Sequence, residues 1–139
     1  LTKIVNLQED HDVSELIDNC LAKNKKKIII ILNENNFSSE DCILIIRVFL
    51  NKSKKLLKLL YEYEYNNNID LTMSTAKPPI FWKDKEITKQ QIYKWTLDNV
   101  KELIYKLGEL ELQVKTNINN SVNLILNFIL EQTDSKTNN

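Results

Sequence analysis

Apolar residues recur along this chain at helical spacing, and the recurrence marks out its elements. Leu1 to Gln8 reads as a lead-in, with Ile4, Val5 and Leu7 available to anchor it. Asp12 has the character of an N-cap, with Glu15 three residues on in a capping-box arrangement. Val13, Leu16, Ile17, Cys20 and Leu21 then follow at i, i+3, i+4, i+7 and i+8, the pattern of an amphipathic helix. Four isoleucines, Ile28 to Ile31, allow a buried strand. No other segment offers such a strand a partner, and a lone strand leaves its backbone groups unsatisfied. The pattern therefore predicts a short, deeply buried helix from about Lys25 to Glu34.

Ser38 or Ser39 should cap the next helix, with Glu40 and Asp41 in its first turn. Its apolar face runs from Cys42 through Ile45, Ile46 and Phe49 to Leu60, and it should end near Tyr65, before three consecutive asparagines. Asp70 is expected to cap a single turn, Leu71 to Ala76. A helix from about Lys85 to Lys94 follows, and then one capped by Thr96 that runs from Leu97 to about Lys115. The second carries a near-heptad seam of Val100, Leu103, Ile104, Leu107, Leu110 and Val114. Gly108 sits inside it, and a close helix crossing would justify its cost there. Asn119 or Asn120 should cap a last helix, Val122 to about Glu131. The pattern predicts an all-α, compact bundle of five to six helices over residues 1–132, with a frayed polar tail over 133–139.

The break in this helical run is Lys77-Pro78-Pro79-Ile80-Phe81-Trp82. These are the only two prolines; each fixes φ and removes a donor, so no helix passes through. The densest apolar cluster of the chain comes next, followed by Lys83, Lys85 and Lys89. Two readings are open: a helix corner whose aromatics plug the core, or an exposed aromatic tip ringed by cations. Ile80 is assigned inward and one of the two aromatics partly outward.

Composition narrows the function classes. Nineteen basic and nineteen acidic side chains cancel, which excludes coating of nucleic acid through bulk charge but leaves a local basic patch open. One glycine and two prolines suit long helices with short connections. Cys20 and Cys42 stand alone, with one histidine in the chain, so the sequence offers no disulfide framework and no metal site. Both thiols are read as buried and reduced, in a cytoplasmic protein. No stretch is apolar enough to span a membrane. There is no glycine-rich phosphate loop, no expected cofactor, and no constellation for catalysis by this chain. Because it begins at Leu1 rather than a methionine, it is expected to be a fragment of a longer protein.

One family resembles this chain over nearly its whole length. The string Lys77-Pro78-Pro79-Ile80-Phe81-Trp82-Lys83-Asp84-Lys85, the following Trp95, and Leu107 to Lys115 are similar to the C-terminal domain of the delta subunit of DNA polymerase III, the bacterial clamp loader. Arg47 falls where that family has a Leu-x-Arg helix, and Asn24 stands where it often has glycine, in a left-handed turn that Asn tolerates. The resemblance implies an oligomerisation domain in a helical collar with the other loader subunits, gamma/tau and delta prime. It implies no ATP hydrolysis by this chain, and contact with the sliding clamp only through an N-terminal domain not in this sequence. It also places the proline–aromatic region near primer–template DNA. Phe81 or Trp82 would then stack on a base, with Lys83, Lys85 and Lys89 as phosphate partners. From the residues alone, a free-standing helical adapter is the alternative.

Overall fold

A computed structural model describes residues 2–134 of the chain, with side chains from His11 onward. Seven α-helices and no strand occur among the described residues. They are α1 (Thr2–Leu21), α2 (Lys25–Glu34), α3 (Cys42–Asn66), α4 (Ile69–Ser74), α5 (Lys85–Lys94), α6 (Leu97–Thr116) and α7 (Ser121–Asp134). The seventh beyond the expected five or six is α4, foreseen only as a single turn.

The long helix α3 is the spine. It packs most extensively on α6 and also meets α1, α4, α5 and α7, while α7 closes the bundle against α1, α2 and α6. Its buried row, from Cys42 through Ile45, Ile46, Phe49 and Leu56 to Leu60, follows helical spacing. Phe49 lies edge-on to Phe128 of α7, with ring centroids 5.8 Å apart, a geometry the ring quadrupoles favour. From α6, Val100, Leu103, Leu107, Leu110 and Val114 are buried, and Ile104 packs half-buried beside them.

Several boundaries differ from the sequence reading. Helix α1 runs straight through Asp12 instead of starting there. Residues 1–11 contain no glycine or proline to stop it, so the Asp12–Glu15 pattern marks no helix start. The proposed anchors Ile4, Val5 and Leu7 lie outside the residues whose side chains are described. Helix α2 has the expected bounds but is only half buried: Ile28 and Ile31 face the core, whereas Ile29 and Ile30 are exposed. At the head of α3, Ser38 and Asp41 form a reciprocal capping box around a 3-10 turn, Ser39–Asp41. Asn68, not Asp70, caps α4; its side chain accepts from the Leu71 amide at 3.0 Å. Thr96 caps α6 as foreseen, accepting from the Asn99 amide at 3.1 Å. Helix α7 extends to Asp134, so Thr133 is not the start of a tail. Its hydroxyl donates to the Ile129 carbonyl at 2.7 Å within a buried environment. Residues 135–139 of the expected tail lie outside the described residues.

The corner between α1 and α2 also differs. Lys23, and not Asn24, takes the left-handed conformation, with φ of 59°. The Asn24 amide donates to the Asn19 carbonyl at 2.9 Å and the Lys23 amide to the Cys20 carbonyl at 3.0 Å. This is a Schellman closure with lysine at the position glycine usually holds. The Lys23 side chain supplies the reason. Its ammonium lies 4.2 Å from the centre of the Trp95 ring and donates to the Gln132 carbonyl near the end of α7 at 3.2 Å. Both contacts favour a cation. Trp95 itself is buried, and its indole Nε1–H donates to the Leu21 carbonyl at 2.7 Å. The tryptophan that follows α5 therefore satisfies an open carbonyl at the end of α1.

Candidate nucleic-acid interface

The chain from Thr75 to Asp84 leaves the bundle surface and returns to it. Ile80 alone within the Ile80-Phe81-Trp82 cluster packs against the core. Phe81 is 58% exposed and Trp82 is 70% exposed. Both aromatics therefore point outward, where one was expected to. The proline pair keeps the chain out of a helix up to the extended Phe81, and a 3-10 turn, Trp82–Asp84, then delivers it into α5. With so short a return, one inward side chain anchors the loop and the next two are carried past the surface.

The two rings lie 6.1 Å apart at a tilt of 45°, and the Lys83 ammonium stands 5.6 Å from the centre of the Trp82 ring. Lys77, Lys83 and Lys85 are all exposed around this tip. Lys89 is not free with them: its ammonium pairs with Asp70 of α4 at 3.5 Å. The structure thus gathers Phe81, Trp82, Lys83 and Lys85 in one exposed segment and ties Lys89 back to the bundle.

Beneath the tip lies a groove of about 550 Å³ between α3, the proline loop and α5. Leu56, Leu59, Ile80 and Ile87 contribute its apolar surface, and Lys55, Lys58 and Lys77 are among its cations. Asp18 of α1 reaches its floor and pairs with Lys52 at 2.9 Å. Burial raises the Asp18 carboxyl above its ordinary range, and the adjacent Lys52 ammonium offsets part of that rise. Gln91 ties α5 to the same spot by donating to the Asp18 carbonyl at 2.8 Å. Sequence reasoning missed this groove because its lining comes from four separate segments; the exposed lysines of α3 were the only signal.

The remaining chemistry-bearing residues are structural or dispersed. Cys20 and Cys42 are buried free thiols. Burial pushes the Cys20 thiol up to about 12, and its sulfur accepts from the Thr133 hydroxyl at 3.3 Å. Cys42 donates weakly to the Ser121 hydroxyl at 3.5 Å. His11 is exposed, 3.7 Å from Asp12. Of the basic run that opens α2, Lys25 pairs with Asp134 at 3.1 Å, while Lys26 and Lys27 are exposed. Tyr63 and Tyr93 meet edge-on at 6.2 Å, and Lys101 stands 5.4 Å from the Tyr61 ring. No group of three or more potential metal-ligating side chains occurs among the described residues. None of the helices there is long and apolar enough to cross a membrane. Comparison with family models, with characterised proteins and with solved structures finds no match to this chain.

Proposed function

We propose that this chain is the collar-forming domain of a clamp-loader delta subunit. In that role it helps assemble, with gamma/tau and delta prime subunits, the complex that opens a sliding clamp and loads it on primed DNA. The domain contributes no catalytic residue; the enzyme it serves is the DNA polymerase, a nucleotidyltransferase. The observation that carries the reading is the outward pair Phe81 and Trp82 beside exposed lysines, on the segment where the sequence resembles the family's DNA-proximal loop. An aromatic so placed stacks on an unpaired base, a contact worth roughly 1–3 kcal/mol. Exposed Ile29 and Ile30 on α2, with Tyr105 and Leu112 on α6, offer apolar surface to sister domains.

Tryptophan fluorescence tests the DNA part. Trp95 is buried at 6% exposure, so quenching by primed DNA reports mainly on Trp82. Quenching that weakens as salt rises is expected. Absence of quenching at low salt, or equal quenching in Trp82→Phe, would remove the DNA contact.

The groove favours one alternative, a free-standing adapter that takes a partner's helix on its apolar floor. That reading predicts no affinity for loader subunits.

A further inference from the structure

The nineteen cations and nineteen anions of this chain are unevenly placed. Between Cys42 and Tyr61, helix α3 carries Arg47, Lys52, Lys54, Lys55 and Lys58 and no carboxylate. Lys54 and Lys58 sit at i, i+4, where like charges destabilise a helix. Lys52 is neutralised by Asp18, but Lys54, Lys55 and Lys58 form no ion pair among the described residues. A local rule is broken here, and no ion pair among the described residues relieves it.

The row also has a direction. Lys55 and Lys58 line the same groove as Lys77 and Phe81 of the proline loop, while Lys54 and Arg47 are exposed farther along α3. At about 1.5 Å per residue, Arg47 and Lys58 lie about 16 Å apart along the axis. Cations therefore lead from the aromatic tip, across the groove and onto the helix. Asp18, Glu62 and Asp84 share the groove lining with Lys52, Lys55, Lys58 and Lys77, so cations outnumber carboxylates there by one.

We infer that this lysine row is a phosphate track that holds the backbone of a single nucleic-acid strand whose bases stack at the aromatic tip. The inference rests on reading Phe81 and Trp82 as a stacking tip and extends it to residues outside the resembling string. Charge complementarity names a polyanion as occupant, and exposed ring faces at the mouth of the groove favour one that also presents bases. An acidic peptide or an anionic membrane would use the lysines but leave the tip without a role.

The test is a titration of the 139-residue chain with a fluorescent oligothymidylate of about 12 nucleotides, followed by anisotropy between about 50 and 200 mM salt. Each phosphate contact on a single strand contributes about 0.7 to the slope of log affinity against log salt, so the double variant Lys55→Gln/Lys58→Gln should lower it by about 1.4. The control Lys26→Gln/Lys27→Gln, on exposed lysines of α2, should leave the slope unchanged. Phe81→Ala/Trp82→Ala should weaken binding at every salt concentration without changing the slope. An unchanged slope in the α3 double variant overturns the track, even if the tip variant still binds less well. A lowered slope with an indifferent tip variant overturns the proposal, since the strand's bases then do not stack at the tip. Equal losses in the α2 control, no binding by the wild type, or tighter binding to an acidic peptide or to phosphatidylserine vesicles also overturns it.

Discussion

Gly108 lies mid-helix in α6 on an exposed face, and a Cβ added there meets nothing within 4 Å. The close crossing expected from its position is not found among the described residues. Its backbone freedom therefore costs stability without a packing return, and Gly108→Ala should raise stability by about 1 kcal/mol. Chemical denaturation checks this, and a loss of stability would contradict it. Cys20 makes the opposite kind of prediction. Its folded thiol ionises near 12 against a reference of 9.0, so the unfolded chain loses this proton first as pH rises. The stability it contributes is complete below pH 9.0 and is lost progressively towards pH 12. The melting temperature of the wild type should fall more steeply above pH 9.0 than that of Cys20→Ala. Parallel slopes would contradict the burial argument.

The corner joining α1 to α2 shows how one element's ending is held by others. Lys23 occupies a left-handed site that disfavours any side chain by roughly 1–2 kcal/mol, and its ammonium offsets that by reaching Trp95 and the end of α7. Lys23→Ala keeps the strain and loses both contacts, whereas Lys23→Gly loses the contacts and the strain together. Lys23→Gly should therefore be the more stable variant by about 1 kcal/mol in thermal unfolding; equal stabilities would show that the strain is not felt. The same corner marks the limit of what the residues alone reveal. Helices α2, α5 and α6 were legible to within a residue or two, since the isoleucine run had no strand partner and the proline pair and Thr96 are local signals with local causes. Lys23 was not, since the reason for its conformation lies on α5 and α7. Thr133 read as tail for a similar cause: it is buried beside Cys20 of α1, far away in sequence. The start of α1 was misplaced because a capping pattern was taken without a stop signal before it. At the candidate interface, the break at Pro78-Pro79 and the inward Ile80 were legible, but the outward turn of both aromatics and the groove beneath them were not.

Taken whole, the bundle buries its main apolar seams in one core and leaves a few chemically distinct surfaces outside. One is the aromatic tip with its groove. The others are the apolar residues on α2 and α6. On the proposed reading, such a body acts by what it joins. Gel filtration of this chain mixed with gamma/tau and delta prime subunits tests that claim most directly. Elution together with those subunits, earlier than the chain run alone, is the predicted result. Elution at the position of the free monomer, with the other subunits migrating as they do without it, would contradict the account.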